Sequence, residues 1–409
     1  MKAFIFGLVF FITVTPLYAQ LSCATQQYKQ QRISNTPGLS SRIQLIEEQL
    51  KETQDIQLRE MQGIIKIPVV FHILYHYPEQ KVSDVQVINQ LAALNRDFRR
   101  RNPDSSNTPA YFKPVAADME IEFVLATSDP RQRSTTGILK KYSPIIQWGM
   151  DDKMKFSGEM GDNGWDPRSY LNIWVCDLKG LAGYSSILGG PENLDGIVID
   201  FEAFGTAGSH NLGRTLVHEV GHWLGLKHIW GDADCGDDGV NDTPKQSFYT
   251  AGCPTGIRIT CVNGPYGNMY MNYMDFTNDA CMNLFTEGQK HRMRALFSIG
   301  GVRNSLLSSN GLDQPMIHET VIPETDPRWL HPKVFPIPVS TELTFDLSYD
   351  IRWIGKTINI TNLNGQSLMK VQIKNKVQQI DLSRLQPGVY FLNAVKEDGA
   401  QIKEKIIKL

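Results

Sequence analysis

The sequence predicts an α/β (α+β) protein built on a mixed twisted sheet, with a short polar segment before it and a separate all-β module after it. Three observations lead to that class. Apolar strand-like runs share residues 64 to 305 with amphipathic helices, periodicity vanishes in one long cysteine-bearing stretch, and from residue 333 onward apolar and polar residues alternate with period two. The chain has 409 residues, more than one hydrophobic core usually serves, so two or three domains are expected.

The opening "MKAFIFGLVFFITVTPLYAQ" sets a basic Lys2 before an apolar run from Ala3 to about Val14, then a small Ala19 before Gln20, the layout of a secretory signal over residues 1–19. That run falls short of the ~20 residues that cross a bilayer, and no other run is long enough, so no transmembrane span is expected. Export implies a secreted or cell-surface protein in which disulfides persist. A formal net charge of −2 with both signs interspersed supplies no field for nucleic acid. Residues 20–60 are polar and glutamine-rich, with one amphipathic helix expected around Ile43 to Leu58; so little apolar material reads as a disordered leader or a prosegment.

A domain over 61–307 opens with "IIKIPVVFHILY" (Ile64 to Tyr75) as a buried strand, followed by "SDVQVINQLAALNRDFRRR" as a helix. Val85, Ile88, Leu91, Leu94 and Phe98 repeat at helical spacing there. "IEFVLAT", "YLNIWVCDL" and "GIVIDF" read as further strands, and "NLGRTLVHEVGHWLGL" as a helix carrying Leu212, Leu216, Val220 and Leu224. From Asp232 to Cys281, Gly, Asn, Asp, Pro and Cys dominate, and a loop that long suits a compact domain only when cross-linked or functional. Four of the six cysteines, Cys235, Cys253, Cys261 and Cys281, fall inside it and look like two bridges, with three pairings open. Cys23 and Cys176 are left over, and Cys176, inside a strand, reads as a core thiol. "TEGQ" at Thr286 fits a capping box for a helix through Met293, Leu296 and Phe297 to Gly300 and Gly301. Residues 308–332 read as a proline-rich linker and 333–409 as the all-β module, with hairpin turns at Asn364-Gly365 and Asp398-Gly399.

Three of the nine histidines crowd into "HEVGHWLGLKH", His218 to His228. Residues four apart on a helix lie one turn apart on the same face, so His218 and His222 point the same way. Gly225 can stop the helix in a left-handed conformation that lets His228 return to the same point. Three imidazoles leave one corner of a tetrahedral zinc free, as catalytic rather than structural sites do. Water at that corner is acidified toward a pKa of ~7. Glu219, beside a ligand without being one, can take its proton and pass it to a leaving amine.

H-E-x-x-H-x-x-G-x-x-H is the extended zinc signature of the metzincins. The longer "HEVGHWLGLKHIWGDADCGDDGVNDTP" with "NYMDFTNDACMNLFT" resembles the pappalysin (M43) family, specifically its ulilysin and mirolysin branch, over roughly residues 64 to 305. The resemblance implies a metzincin catalytic domain in a secreted zinc endopeptidase acting on protein or peptide substrates. It assigns His218, His222 and His228 as ligands, Glu219 as general base and acid, and Met274 as the methionine of the turn beneath the metal. It also implies bridges from Cys235 to Cys261 and from Cys253 to Cys281. Relatives bind calcium after the third histidine, which implies a calcium ion on Asp238, the Val240 carbonyl and Thr243, with Lys245 standing where an acid is expected.

An early cysteine that ligates the zinc in such precursors makes Cys23 a candidate latency residue, and residues 20–60 an intramolecular inhibitor. Phe276 stands where relatives often carry a tyrosine that supports the tetrahedral intermediate, and Tyr273 lies near. The helix after the turn, "EGQKHRMRALF", is more basic than in relatives that select Arg or Lys on the leaving-group side. The tail from "VFPIPVSTELTFDLS" onward looks like the C-terminal sorting domain of type IX secretion, although Ile337 replaces the usual asparagine. It implies an immunoglobulin-like β-sandwich read by the secretion machinery. The alternative class is a zinc-containing surface adhesin without turnover.

Overall fold

The structure is a computed structural model that describes residues 22–54, 63–205, 212–317, 332–347, 353–395 and 401–409. The signal segment and the Asp398-Gly399 turn lie outside the described residues.

A seven-stranded mixed sheet organises the larger domain. Its strands are β1 (Ser22–Cys23), β2 (Ile65–Tyr75), β3 (Ile121–Leu125), β4 (Ile138–Tyr142), β5 (Leu171–Cys176), β6 (Leu181–Ser185) and β7 (Ile197–Asp200), in the order β1-β6-β7-β5-β2-β3 with β4 also on β2. The hub is β2, whose length lets it pair on one side with β3 through Ile65 to Val69 and with β4 through Phe71 to Tyr75, and on the other with β5. All these pairings are parallel, as is β5 with β7; β6 alone runs antiparallel to its neighbour β7. β2 and β5 are buried almost throughout, which is why they read as continuous apolar runs. "ILKKY" and "LAGYS" carry no such signal, and the sequence reading missed β4 and β6.

The helices are α1 (Thr25–Asn35), α2 (Leu39–Gln54), α3 (Asp84–Phe98), α4 (Arg214–Trp223) and α5 (Glu287–Ala295). Ser83 caps α3 by accepting from the Gln86 N–H. Its buried face corrects the apolar stripe: Leu94 and Phe98 are inside, but Val85 and Ile88 are 65% and 53% exposed. Gln90 and Asp97 take the inner positions instead, because Gln90 bonds the Gly213 carbonyl and the Gly205 N–H, and Asp97 pairs with Arg214. Tertiary partners here outweigh apolarity.

Residues 25–54 form helices, so the alternative of a disordered leader does not hold for them. The helix read from Ile43 begins at Leu39, and α2 packs on α5. Thr286 caps α5 through the expected box, yet the helix ends at Ala295, before the Gly300-Gly301 stop. Helix α4 likewise starts after Leu212. Part of the stretch read as a linker makes contacts with the larger domain. Ser309 donates to the Ser169 carbonyl at 2.6 Å, the Thr127 N–H reaches the Gly311 carbonyl at 2.9 Å, and Ile317 bridges to Arg133.

The C-terminal module has strands β8 (Lys333–Phe335), β9 (Glu342–Asp346), β10 (Thr357–Thr361), β11 (Ser367–Gln372), β12 (Val377–Asp381), β13 (Gly388–Val395) and β14 (Gln401–Lys408). They make two antiparallel sheets, β11-β10-β13-β14 and β12-β9-β8, around a core of Leu343, Phe345, Ile358, Ile360, Leu392 and Ile406. This is the expected sandwich.

Candidate active site

Helix α4 crosses β6 and β7, anchored at both ends. At its start the buried Arg214 guanidinium pairs with Asp97 at 3.0 Å and Asp104 at 2.6 Å; at its end the Trp223 indole donates to Asp195 at 2.6 Å. Gly225, at φ +82, then turns the chain out of the helix, a conformation only glycine adopts without strain. His228 returns toward the helical pair as the spacing requires.

The three imidazoles converge. Nε2 of His222 lies 3.1 Å from Nε2 of His218 and 3.1 Å from Nε2 of His228. Each Nδ1 is held from behind: His218 by the Tyr273 carbonyl at 2.7 Å, His222 by the Leu226 carbonyl at 2.9 Å, His228 by Asp232 Oδ1 at 2.5 Å. With Nδ1–H committed to those acceptors, every Nε2 presents a lone pair inward. Burial reinforces this by holding all three rings neutral, with the His218 pKa lowered to about 4. Three inward lone pairs repel unless a cation sits among them, and two nitrogens on one tetrahedral zinc, at ~2.0–2.1 Å bonds, stand about 3.3 Å apart. The residues present fit a zinc ion.

Cys23 Sγ joins the cluster, all four ligand atoms lying within 4.8 Å of one another. Glu219 has no exposed surface, and burial pushes its carboxyl up to about 7. Thr25 donates to its Oε2 at 2.9 Å. Asp232 and Thr25 were not singled out in the sequence; an acid four residues past the last histidine and a hydroxyl two past Cys23 were the available signals.

Met274 is fully buried under α4, and a Cβ built on Gly221 would meet its Sδ at 2.5 Å, so a larger residue there would force the Met274 side chain to shift. Phe276 stands beside the histidines, its ring 4.9 Å from His228 and 5.5 Å from His218, and continues through Trp230 to the exposed Tyr249 as an aromatic wall. The side chain of Tyr273 turns away, packing on Phe285 and under Arg214, while its carbonyl holds His218.

The long loop is stapled by Cys235–Cys261 and Cys253–Cys281. Cys176 is a free, buried thiol. Thr243 Oγ1 lies within 2.8–3.0 Å of both Asp238 carboxylate oxygens and of the Val240 carbonyl, so those oxygens gather at one place. Burial raises the Asp238 carboxyl to about 6. In α5, Arg292 is buried, donating to the Gly225 carbonyl at 2.7 Å and to Glu47 of α2 at 2.6 Å.

The sequence profile of the peptidase M43 family, described as Pregnancy-associated plasma protein-A, matches residues 155–298. That of the Secretion system C-terminal sorting domain matches residues 333–409. An extracellular metalloprotease of Colletotrichum graminicola is 44% identical over 250 residues, 57% of this chain and 76% of the relative. Mature mirolysin of Tannerella forsythia with a cleaved peptide is 45% identical at a TM-score of 0.59, covering 60% of this chain and 97% of that one. A promirolysin mutant from the same organism is 42% identical at a TM-score of 0.65, covering 70% of this chain and 97% of that one.

Proposed function

The chain belongs to the M43 family of metalloproteases, and from that premise we propose a role for each residue of its histidine site. It is a secreted zinc-dependent endopeptidase made as a zymogen, with a type IX sorting domain at its C-terminus. Among the described residues no helix is long and apolar enough to cross a membrane.

His218, His222 and His228 would hold the zinc, which supplies a Lewis acid that polarises a peptide carbonyl and acidifies the attacking water. Glu219 takes that water's proton and passes it to the leaving amine. Asp232 fixes the His228 tautomer. Once β1 is released, β6 becomes the edge of the sheet and offers main-chain groups to an extended protein or peptide substrate. Phe276 brings no hydroxyl that could support a developing oxyanion.

Residues 22–54 act as intramolecular inhibitor, with Cys23 at the fourth corner of the metal site. Asp238, the Val240 carbonyl and Thr243 suit a structural calcium ion, since a buried carboxylate and two neutral oxygens match a hard cation. We place the catalytic domain at 61–307 with its packed extension to Ile317, and the sorting domain, which engages the secretion machinery, at 333–409.

The observation that carries this reading is the convergence of three Nε2 atoms beside a buried glutamate. Protein freed of its prosegment should cleave a peptide library, a chelator should stop it, and Glu219→Ala should lower kcat/KM by about 10²–10⁴-fold with zinc still bound. Cleavage surviving either control contradicts the mechanism; zinc bound without any cleavage favours the adhesin. Cys23→Ala should activate sooner, and unchanged latency would refute its role.

A further inference from the structure

Thr25 reaches the site from the first turn of α1, where Ala24 occupies the cap position and no side chain caps the helix. Its hydroxyl is committed elsewhere. Oγ1 donates to Glu219 Oε2 at 2.9 Å and accepts the Ser185 N–H at 2.9 Å, bridging the carboxylate that moves the proton and the last residue of the substrate-side strand. Up to that point the blocking segment uses its main chain: Cys23 pairs with Gly183 in a parallel ladder, and the Ala24 N–H bonds the Gly183 carbonyl. There the chain turns into α1, so its backbone cannot satisfy Ser185, and a side-chain oxygen does so instead.

We propose that Thr25 is a second latency residue, acting on the general base and on the strand edge while Cys23 acts at the metal position. The proposal rests on the reading of Glu219 given above. The Thr25 hydroxyl occupies one acceptor position of the Glu219 carboxylate and is tethered there by the chain. The same atom removes from β6 an N–H that an extended peptide would otherwise find free. Only a side chain that donates and accepts at once does both, which serine shares and valine does not.

Full-length protein carrying Thr25→Val, which keeps the shape and removes the hydroxyl, tests the proposal, with Thr25→Ser as rescue and Thr25→Ala as a second removal. Hydrogen exchange of amides 22–35 reports release of the segment without relying on activity, and exchange in β2 controls for overall unfolding. Thr25→Val should speed exchange there by about 10- to 100-fold, the value of a hydrogen bond to a charged group. Thr25→Ser should leave it near the original rate. The acceleration should be smaller but still present when Glu219→Ala is already there, because the Ser185 N–H loses its acceptor in both backgrounds. Thr25→Val should also shorten the lag before a fluorogenic peptide is cleaved, and should release more activity with Cys23→Ala than Cys23→Ala does alone. No acceleration, or equal acceleration with and without Glu219, would overturn the proposal. Exchange behaving as expected while no variant cleaves peptide after prosegment removal would sink the enzymatic reading and leave this contact standing.

Discussion

Among the three imidazoles, two are oriented by main-chain carbonyls and one by a side chain, which makes Asp232 the accessible lever on the metal site. Asp232→Ala frees His228 to rotate or change tautomer and should weaken zinc binding by about 10–100-fold, measured by competition with a chromogenic chelator. Unchanged affinity would mean that the stacking of Trp230 on His228, at 4.3 Å, orients the ring unaided. The HExxH pattern revealed which residues meet but not what holds them. Nδ1 partners from Tyr273 and Leu226 are backbone atoms that no sequence pattern advertises.

Two elements set the floor and rim of the site. Helix α4 rests on Met274 with no room for a methyl group at Gly221, so Gly221→Ala should cost about 1–3 kcal/mol by overpacking, read from denaturant unfolding. The loop that carries Met274 has little regular structure between Asp232 and Cys281. Its order depends on the staples: replacing Cys253 and Cys281 together by serine should lower stability by about 2–4 kcal/mol and shift the loop toward proteolysis. Strand β6, which carries the prosegment's β1 on its outer side, is the element whose absence from the sequence reading mattered most. With Gly183 at its centre and one exchange of direction in a parallel sheet, its place is fixed by pairing to β7 rather than by its own residues.

For the whole molecule, Asp238 couples the proposed calcium site to pH. Burial raises its folded-state carboxyl to about 6, so without a cation the folded chain holds that proton more tightly than the unfolded chain. Stability therefore falls as pH rises from the ordinary carboxylate range to about 6, and a bound cation offsets the loss above it. Millimolar calcium should raise Tm at pH 7.5, and the gain should shrink as pH falls through about 6; a pH-independent gain would place the ion elsewhere. Truncation separates the domains: ending the chain after Ile317 should preserve peptidase stability. Ending it after Ser308 should lower it, because Gly311 packs against Pro68 and Tyr170 and its carbonyl binds Thr127.

The sequence by itself determined the chemistry, because metal-ligand spacing on a helix is a local matter: His218, His222, Gly225 and His228 needed only helical pitch and one left-handed residue to converge. It also determined β2, β5 and the all-β character of the tail, whose apolar periods are local. Tertiary structure alone decided which polar residues of α3 face inward, where β6 runs, that Asp232 steadies His228, and that Ser309, Gly311 and Ile317 bond to residues of the larger domain. Each of these rests on a partner distant in the chain or on a backbone atom, and a hydrogen bond to a remote carbonyl leaves no periodic trace in the residues that make it.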